Sequence, residues 1–351
     1  LPACPHRPPC PGCPRWFEKG LPPRAREVFD VLAKQTDLGV PKRHSGTALG
    51  FRMRARLSVR GRAASPKIGI FQQGSHRIVD IPNCPIHHPA INEVVALVKR
   101  GIRETGTAPY AEAPHKGALR GVQIAIERAT GKAQLVLVAN AANTSSLDSL
   151  AEWLQAEAGS RLHSLWWNGN PTRHNVFLGP HWKHLAGVDA IEEDIAGARV
   201  FYPPGAFGQS NLTLSEALIH ELAKHVPDDA HIAEFYAGTG AIGLGLAQRA
   251  RALAMNEVGE DSLRGLQRGI AALPQEAAAR CSVVAGEAGE AGEAGEAKAM
   301  IDDADTVIVD PPRKGLDPAL LAALCATPPA RLLYVSCGID SFARDSETLL
   351  T

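Results

Sequence analysis

The chain has 351 residues, 45% hydrophobic and 21% charged, with acidic and basic side chains in equal number. That length allows two domains with separate cores, and the composition excludes a disordered or fibrous chain. No apolar run approaches the ~18 residues of a membrane span and no signal-peptide core opens the sequence, so a cytoplasmic protein without a membrane partner is expected. The balanced charge hides an asymmetry: residues 1–103 carry 18 Lys and Arg against 6 Asp and Glu, and the remainder carries 19 against 31. A basic part that meets a polyanion and an acidic part that does chemistry are implied.

The first forty residues are rich in Pro and Cys and hold a helical pattern near Ala25 to Lys34. From Phe51 the pattern turns to period two. Arg52, Arg54 and Arg56 alternate with Met53, Ala55 and Leu57, which predicts a strand with one arginine-rich face and a partner strand at Ile68 to Gln72. Ile91 to Arg103 reads as an amphipathic helix, Val122 to Glu127 with Ala133 to Ala139 as a hairpin, Ser146 to Ala158 as a helix and Leu162 to Trp167 as a strand. Together they predict a mixed α+β domain.

From about Phe201 the order becomes helix (Leu214 to His225), strand (Ile232 to Tyr236), glycine loop and helix (Ile242 to Arg249). Strand Ala252 to Asn256, helix Ser262 to Ala272, strands Ser282 to Val284 and Thr306 to Val309, helix Pro318 to Ala326 and strand Arg331 to Val335 follow. Alternating strands and helices predict a parallel, doubly wound sheet. Four Gly-Glu-Ala copies at 286–297 read as a solvated acidic insertion.

Glu234 to Gly243 joins a strand to a helix, and Gly238 and Gly240 allow a tight turn close to a ligand. Glu257 ends the next strand, where a carboxylate can accept ribose hydroxyls. A nicotinamide-dependent oxidoreductase would share both features. Asp310-Pro-Pro-Arg313 follows another strand end, and Leu333-Tyr-Val-Ser-Cys-Gly338 sets Cys337 just past a third, where a thiolate can act. Cys281 and Cys325 read instead as inert core thiols. Cys4, Cys10 and Cys13, with Cys84 70 or more residues on, form a set suited to zinc or to an iron–sulfur cluster. His87 and His88 read as surface residues.

With these motifs the chain resembles the RNA uracil-5-methyltransferase family, whose members modify 23S ribosomal RNA or the T-loop of transfer RNA. Phe207-Gly-Gln-Ser-Asn211 is similar to the family's Phe-x-Gln-x-Asn segment, and Ala343-Arg-Asp-Ser-Glu347 to its text after the nucleophile. The resemblance implies a Rossmann-like class I methyltransferase domain at 199–351, a mixed α+β RNA-binding domain at 46–198 and a cysteine-rich cluster segment at 1–45. It implies S-adenosyl-L-methionine held by Gln209, Tyr236, Gly238, Gly240, Glu257 and Asp310, a uracil edge met by Asp310, and Cys337 as the nucleophile that adds to C6 of uridine. It also implies a [4Fe–4S] cluster, rather than zinc, on Cys4, Cys10, Cys13 and Cys84.

The substrate expected from that cluster is ribosomal RNA, with transfer RNA as the alternative, and the protein is expected to be a monomer. The family's general base is a glutamate expected beyond Thr351, so the base is unknown here and the methyltransferase domain reads as C-terminally truncated. Gly338 and Ile339 stand where the family often has Asn-Pro. A catalytically impaired iron–sulfur RNA-binding protein is the non-enzymatic alternative.

Overall fold

The computed structural model describes residues 3–18, 20–36, 39, 41–174, 176–289 and 296–350. The chain divides into two compact units, the first made of Leu1–Glu18, Gly46–Glu193 and Pro203–Thr213, the second of Lys19–Ser45, Asp194–Tyr202 and Leu214–Thr351. The cysteine-rich opening is thereby shared between them. The centre of the Gly-Glu-Ala run, 290–295, lies outside the described residues.

The first unit is built on a seven-stranded sheet: β1 (Arg54–Arg62), β2 (Ser65–Phe71), β3 (Ile78–Asp80), β4 (Leu119–Ile126), β5 (Ala133–Ala139), β6 (Leu162–Gly169) and β7 (His181–Gly187). Its order is β3-β2-β1-β4-β5-β6-β7. All neighbours are antiparallel except β5 and β6, which need a crossover. With α1 placed at Pro23–Thr36 in the second unit, the first unit's helices are α2 (Pro89–Thr105) and α3 (Asp148–Ala158), and α3 fills that crossover. Ile91, Val94, Val95, Val98 and Ile102 of α2 recur at helical spacing and are buried. Leu57, Val122, Ile124, Leu135 and Leu137 lie in the same core. Burying each such side chain contributes about 1.5–3 kcal/mol.

The second unit carries a five-stranded parallel sheet: β10 (His231–Phe235), β11 (Ala252–Glu257), β12 (Cys281–Ala285), β13 (Thr306–Val309) and β14 (Arg331–Tyr334). The order is β12-β11-β10-β13-β14, so the winding reverses between β10 and β13. In open α/β sheets the crevice at such a reversal is where ligands sit. The helices are α4 (Leu212–Ala223), α5 (Glu260–Ala271), α6 (Gln275–Ala278), α7 (Glu296–Asp303), α8 (Pro318–Ala326) and α9 (Ile339–Leu349). A two-stranded ribbon, β8 (Ile191–Ile195) with β9 (Ala198–Tyr202), precedes α4. Ala233, Phe235, Val307, Val309, Leu316 and Leu320 form the core beside β10 and β13.

The helix predicted over Ile242 to Arg249 is not formed: only Gly243–Gly245 coil, as a 3₁₀ turn. Gly243 and Gly245 lower helix propensity there, and Gly243 is pressed against the Glu234 carboxylate, leaving no room for a Cβ.

Helices α2 and α3 meet at Gly101, where an added Cβ would lie 2.8 Å from Leu150 and from the Trp153 ring. Ala gains about 1 kcal/mol over Gly in a helix interior, but overpacking costs about 1–3 kcal/mol. Gly101→Ala should therefore lower the urea midpoint, and a raised midpoint would refute this packing.

Candidate active site

Register brings the carboxyl ends of the parallel strands level. Phe235 pairs with Asn256 and with Val309, and Val309 pairs with Tyr334. Tyr236, Glu257, Asp310 and, three residues past Tyr334, Cys337 therefore share one end of this sheet. The glycine loop starts at Tyr236, held at φ 61, and continues through Gly238 at φ 59 and Gly240 at φ 82. Glu257 closes the loop: its Oε2 accepts from the Gly238 N–H at 2.8 Å and its Oε1 from the Gly259 N–H at 2.6 Å.

Three carboxyl groups crowd this end. Glu234 is completely buried, and desolvation, then the neighbouring Asp310, push it up to about 8. Burial alone pushes Asp310 up to about 6. The Glu234 Oε2 has no hydrogen-bond partner among the described residues. Cys337 is exposed. Cys325 is exposed as well and so is no core residue: it lies on α8, a helix apolar all round in sequence, and its thiol donates to the Thr348 carbonyl of α9 at 3.7 Å. Cys281 is half-buried, and burial pushes its thiol up to about 11, which keeps it protonated and inert.

A network not legible in sequence joins these segments. Asp345, on α9 and 1% exposed, accepts at Oδ2 from the Tyr334 hydroxyl at 2.7 Å and from the Leu316 N–H at 2.8 Å. Its Oδ1 accepts from Arg344 at 2.8 Å, and Arg344 also donates to the Lys314 carbonyl at 2.7 Å. Tyr236 joins the glycine loop to the same turn, its hydroxyl accepting from the Asp317 N–H at 3.0 Å. Gly315, at φ 91, passes so close to Asp345 that a side chain would collide with the carboxylate. Gly338 similarly approaches the Arg313 carbonyl, where a Cβ would lie at 3.0 Å.

Gln209 belongs to the first unit and is exposed. Its segment is fixed there by the Met53 N–H, which donates to the Ser210 carbonyl at 2.8 Å. In the same unit Cys4, Cys10, Cys13 and Cys84 line one cavity of about 210 Å³, with His6, Arg52 and His87. Burial, then Cys84, Cys10 and Cys4, raise the Cys13 thiol, which shows how closely the four converge. Among the described residues no three His, Cys, Asp or Glu form a group fit for a single metal ion. Of the neighbouring histidines only His88 is partly exposed, and His87 is buried. His87 is 6% exposed and pushed down to about 4 by burial, while His88 caps α2 by accepting from the Ala90 N–H.

Residues 189–351 match the family described as tRNA (Uracil-5-)-methyltransferase. An uncharacterized RNA methyltransferase of Protochlamydia amoebophila is 35% identical over 355 residues, covering 99% of this chain and 90% of the relative. One of Geobacter sulfurreducens is 30% identical, covering 99% and 71%. The fold is similar to that of the Pyrococcus abyssi tRNA (uracil-54, C5)-methyltransferase solved with S-adenosyl-L-homocysteine, with a TM-score of 0.76, 24% identity and coverage of 98% and 79%.

The raised Asp310 carboxyl has a consequence for stability. A group whose folded value, about 6, exceeds its unfolded one favours the fold fully below about 3.9, and that contribution is lost as pH rises through the folded value. The shift corresponds to at most about 3 kcal/mol. Asp310→Asn should thus stabilise the free protein at pH 8 and lose that gain towards pH 4. Equal urea midpoints for the two proteins at pH 8 would refute the burial of this charge.

Proposed function

The chain belongs to the RNA uracil-5-methyltransferase family and is an S-adenosylmethionine-dependent enzyme, and we propose that it methylates C5 of a uridine through a covalent bond between Cys337 and C6. The observation that carries this reading is the exposed Cys337 thiol at the same sheet end as Asp310 and the glycine loop. Uracil C5 is too weak a nucleophile to attack a methylsulfonium unaided. Addition of the Cys337 thiolate to C6 makes C5 an enolate carbon. The bound methyl donor supplies the electrophilic carbon. A base then takes the C5 proton, and the thiolate leaves C6.

In this reading Asp310 meets the uracil edge beside the donor, and its raised value suits a group that donates as well as accepts. Tyr236, Gly238 and Gly240 hold the adenosyl moiety and Glu257 its ribose. The uridine must leave its stack to reach the thiol, as for other enzymes that act on a base.

Cys4, Cys10, Cys13 and Cys84 would hold a [4Fe–4S] cluster that ties the N-terminal segment to the β1 region, a structural part with no step in the transfer. The four-thiol cavity supports this, and the expected substrate is then ribosomal RNA. Transfer RNA is the second reading, favoured by the description of the matching family.

Incubation with S-adenosylmethionine and 5-fluorouridine-substituted RNA should give a denaturant-resistant, methylated complex, because fluorine cannot leave C5 as a proton does. Its mass should map to Cys337 and vanish in Cys337→Ala; an adduct that survives this substitution would sink the assignment. The trapped RNA separates ribosomal from transfer RNA. Protein purified without oxygen should contain iron and acid-labile sulfide, both lost in Cys84→Ser, whereas stoichiometric zinc without iron would overturn the cluster.

A further inference from the structure

The arginine-rich face of β1 is largely occupied by the protein itself. Arg60 pairs with Glu112 and lies over the rings of Phe71 and Tyr110, at 5.3 and 5.0 Å. Arg56 bonds Gln123 at 2.7 Å and lies over Phe177 at 6.0 Å. The register continues from Arg56 through Gln123, Val136 and Trp166 to His184, one cross-strand row on the sheet face opposite α2 and α3. The middle of the row is roofed: Phe177 packs with Val136, Val138 and Trp166, and Gln123 donates to the Pro204 carbonyl.

At its β7 end the roof stops. His184 is exposed and stacks on Trp166, ring centroids 4.5 Å apart and planes 34° from parallel. Trp182 meets Trp166 edge-on at 6.4 Å and is partly exposed. The Trp166 ring is 8% exposed, and its indole N–H is buried with no acceptor among the described residues, a donor left unspent beside the stack. Strand β7 is the sheet edge among the described residues. From Ala158 to Val188 the sequence has no acidic residue, while it holds Arg161, Arg173, Lys183 and four histidines.

We propose that His184 and Trp182, backed by Trp166, form a platform on which an unpaired base of the RNA substrate stacks. This deepens, and rests on, the reading of the chain as an RNA methyltransferase. A core needs no ring laid over its outer side, whereas single-stranded RNA is held by such rings within basic surfaces. The absence of acids over the whole β6–β7 hairpin selects a polyanion over an apolar peptide as the occupant.

The test titrates the full chain with a fluorescein-labelled, unstructured, uridine-rich RNA at several salt concentrations, with S-adenosylhomocysteine affinity measured in parallel. His184→Ala and Trp182→Ala should each weaken RNA binding about tenfold. His184→Phe, which keeps a ring, should stay within about twofold of the natural protein. All three variants should bind S-adenosylhomocysteine normally, which certifies the fold. Unchanged RNA affinity in folded His184→Ala, with the Cys337 adduct still forming, overturns the platform alone and leaves the stack to a protein partner or to the core. A natural protein that binds no RNA overturns the substrate reading and the platform together.

Discussion

The second unit depends on one carboxylate. Asp345 is almost fully withdrawn from water, where an unpaired charge would cost several kcal/mol. It is tolerated because donors from separate segments converge on it: the Leu316 N–H behind the Asp310 turn, the Tyr334 hydroxyl ahead of Cys337, and its neighbour Arg344. Each donor satisfies the charge and is itself fixed by it. Burial, then this bond, raise the Tyr334 phenol, so the hydroxyl stays a donor. The segments bearing Asp310 and Cys337 are thus held by one side chain. Tyr236, through Asp317, brings the glycine loop into the same arrangement.

That dependence explains which parts of the site could be read in sequence. Asp310, Glu257 and Cys337 stood out because each follows a strand end, and strand ends are legible where the strand is an unbroken apolar run. Thr306–Val309 and Ala133–Ala139 are buried throughout, and both were legible to the residue. Asp345, Asp317 and Gly315 carry no such signal. Their importance lies in contacts that form only once the chain has folded.

The same reasoning accounts for the rest. Strand β7, His-Trp-Lys-His-Leu-Ala-Gly, has no alternating pattern and exists because β6 offers it a ladder. The Ile242 to Arg249 segment has apolar residues at helical spacing, yet Gly243 is needed where Glu234 crowds the backbone, and tertiary packing wins. The alternating arginines of β1 predicted a cationic face. Alternation fixes the face but not what lies across from it, and Glu112, Phe71, Tyr110 and Phe177 claim much of that charge.

Charge also gives the two units different tasks. Around the glycine loop, burial and then the neighbouring Asp310 and Glu257 raise the cost of ionising Glu234, pushed up to about 8, while burial alone raises Asp310. Carboxyl groups arranged only for stability would not be gathered in this way, since each is more stable apart. A cationic ligand reverses the balance. The sulfonium and ammonium groups of S-adenosylmethionine would favour the ionised carboxylates, and cofactor binding would relieve repulsion that the free protein carries. The N-terminal third of the sequence carries the opposite charge, and the zero net charge conceals that separation along the chain.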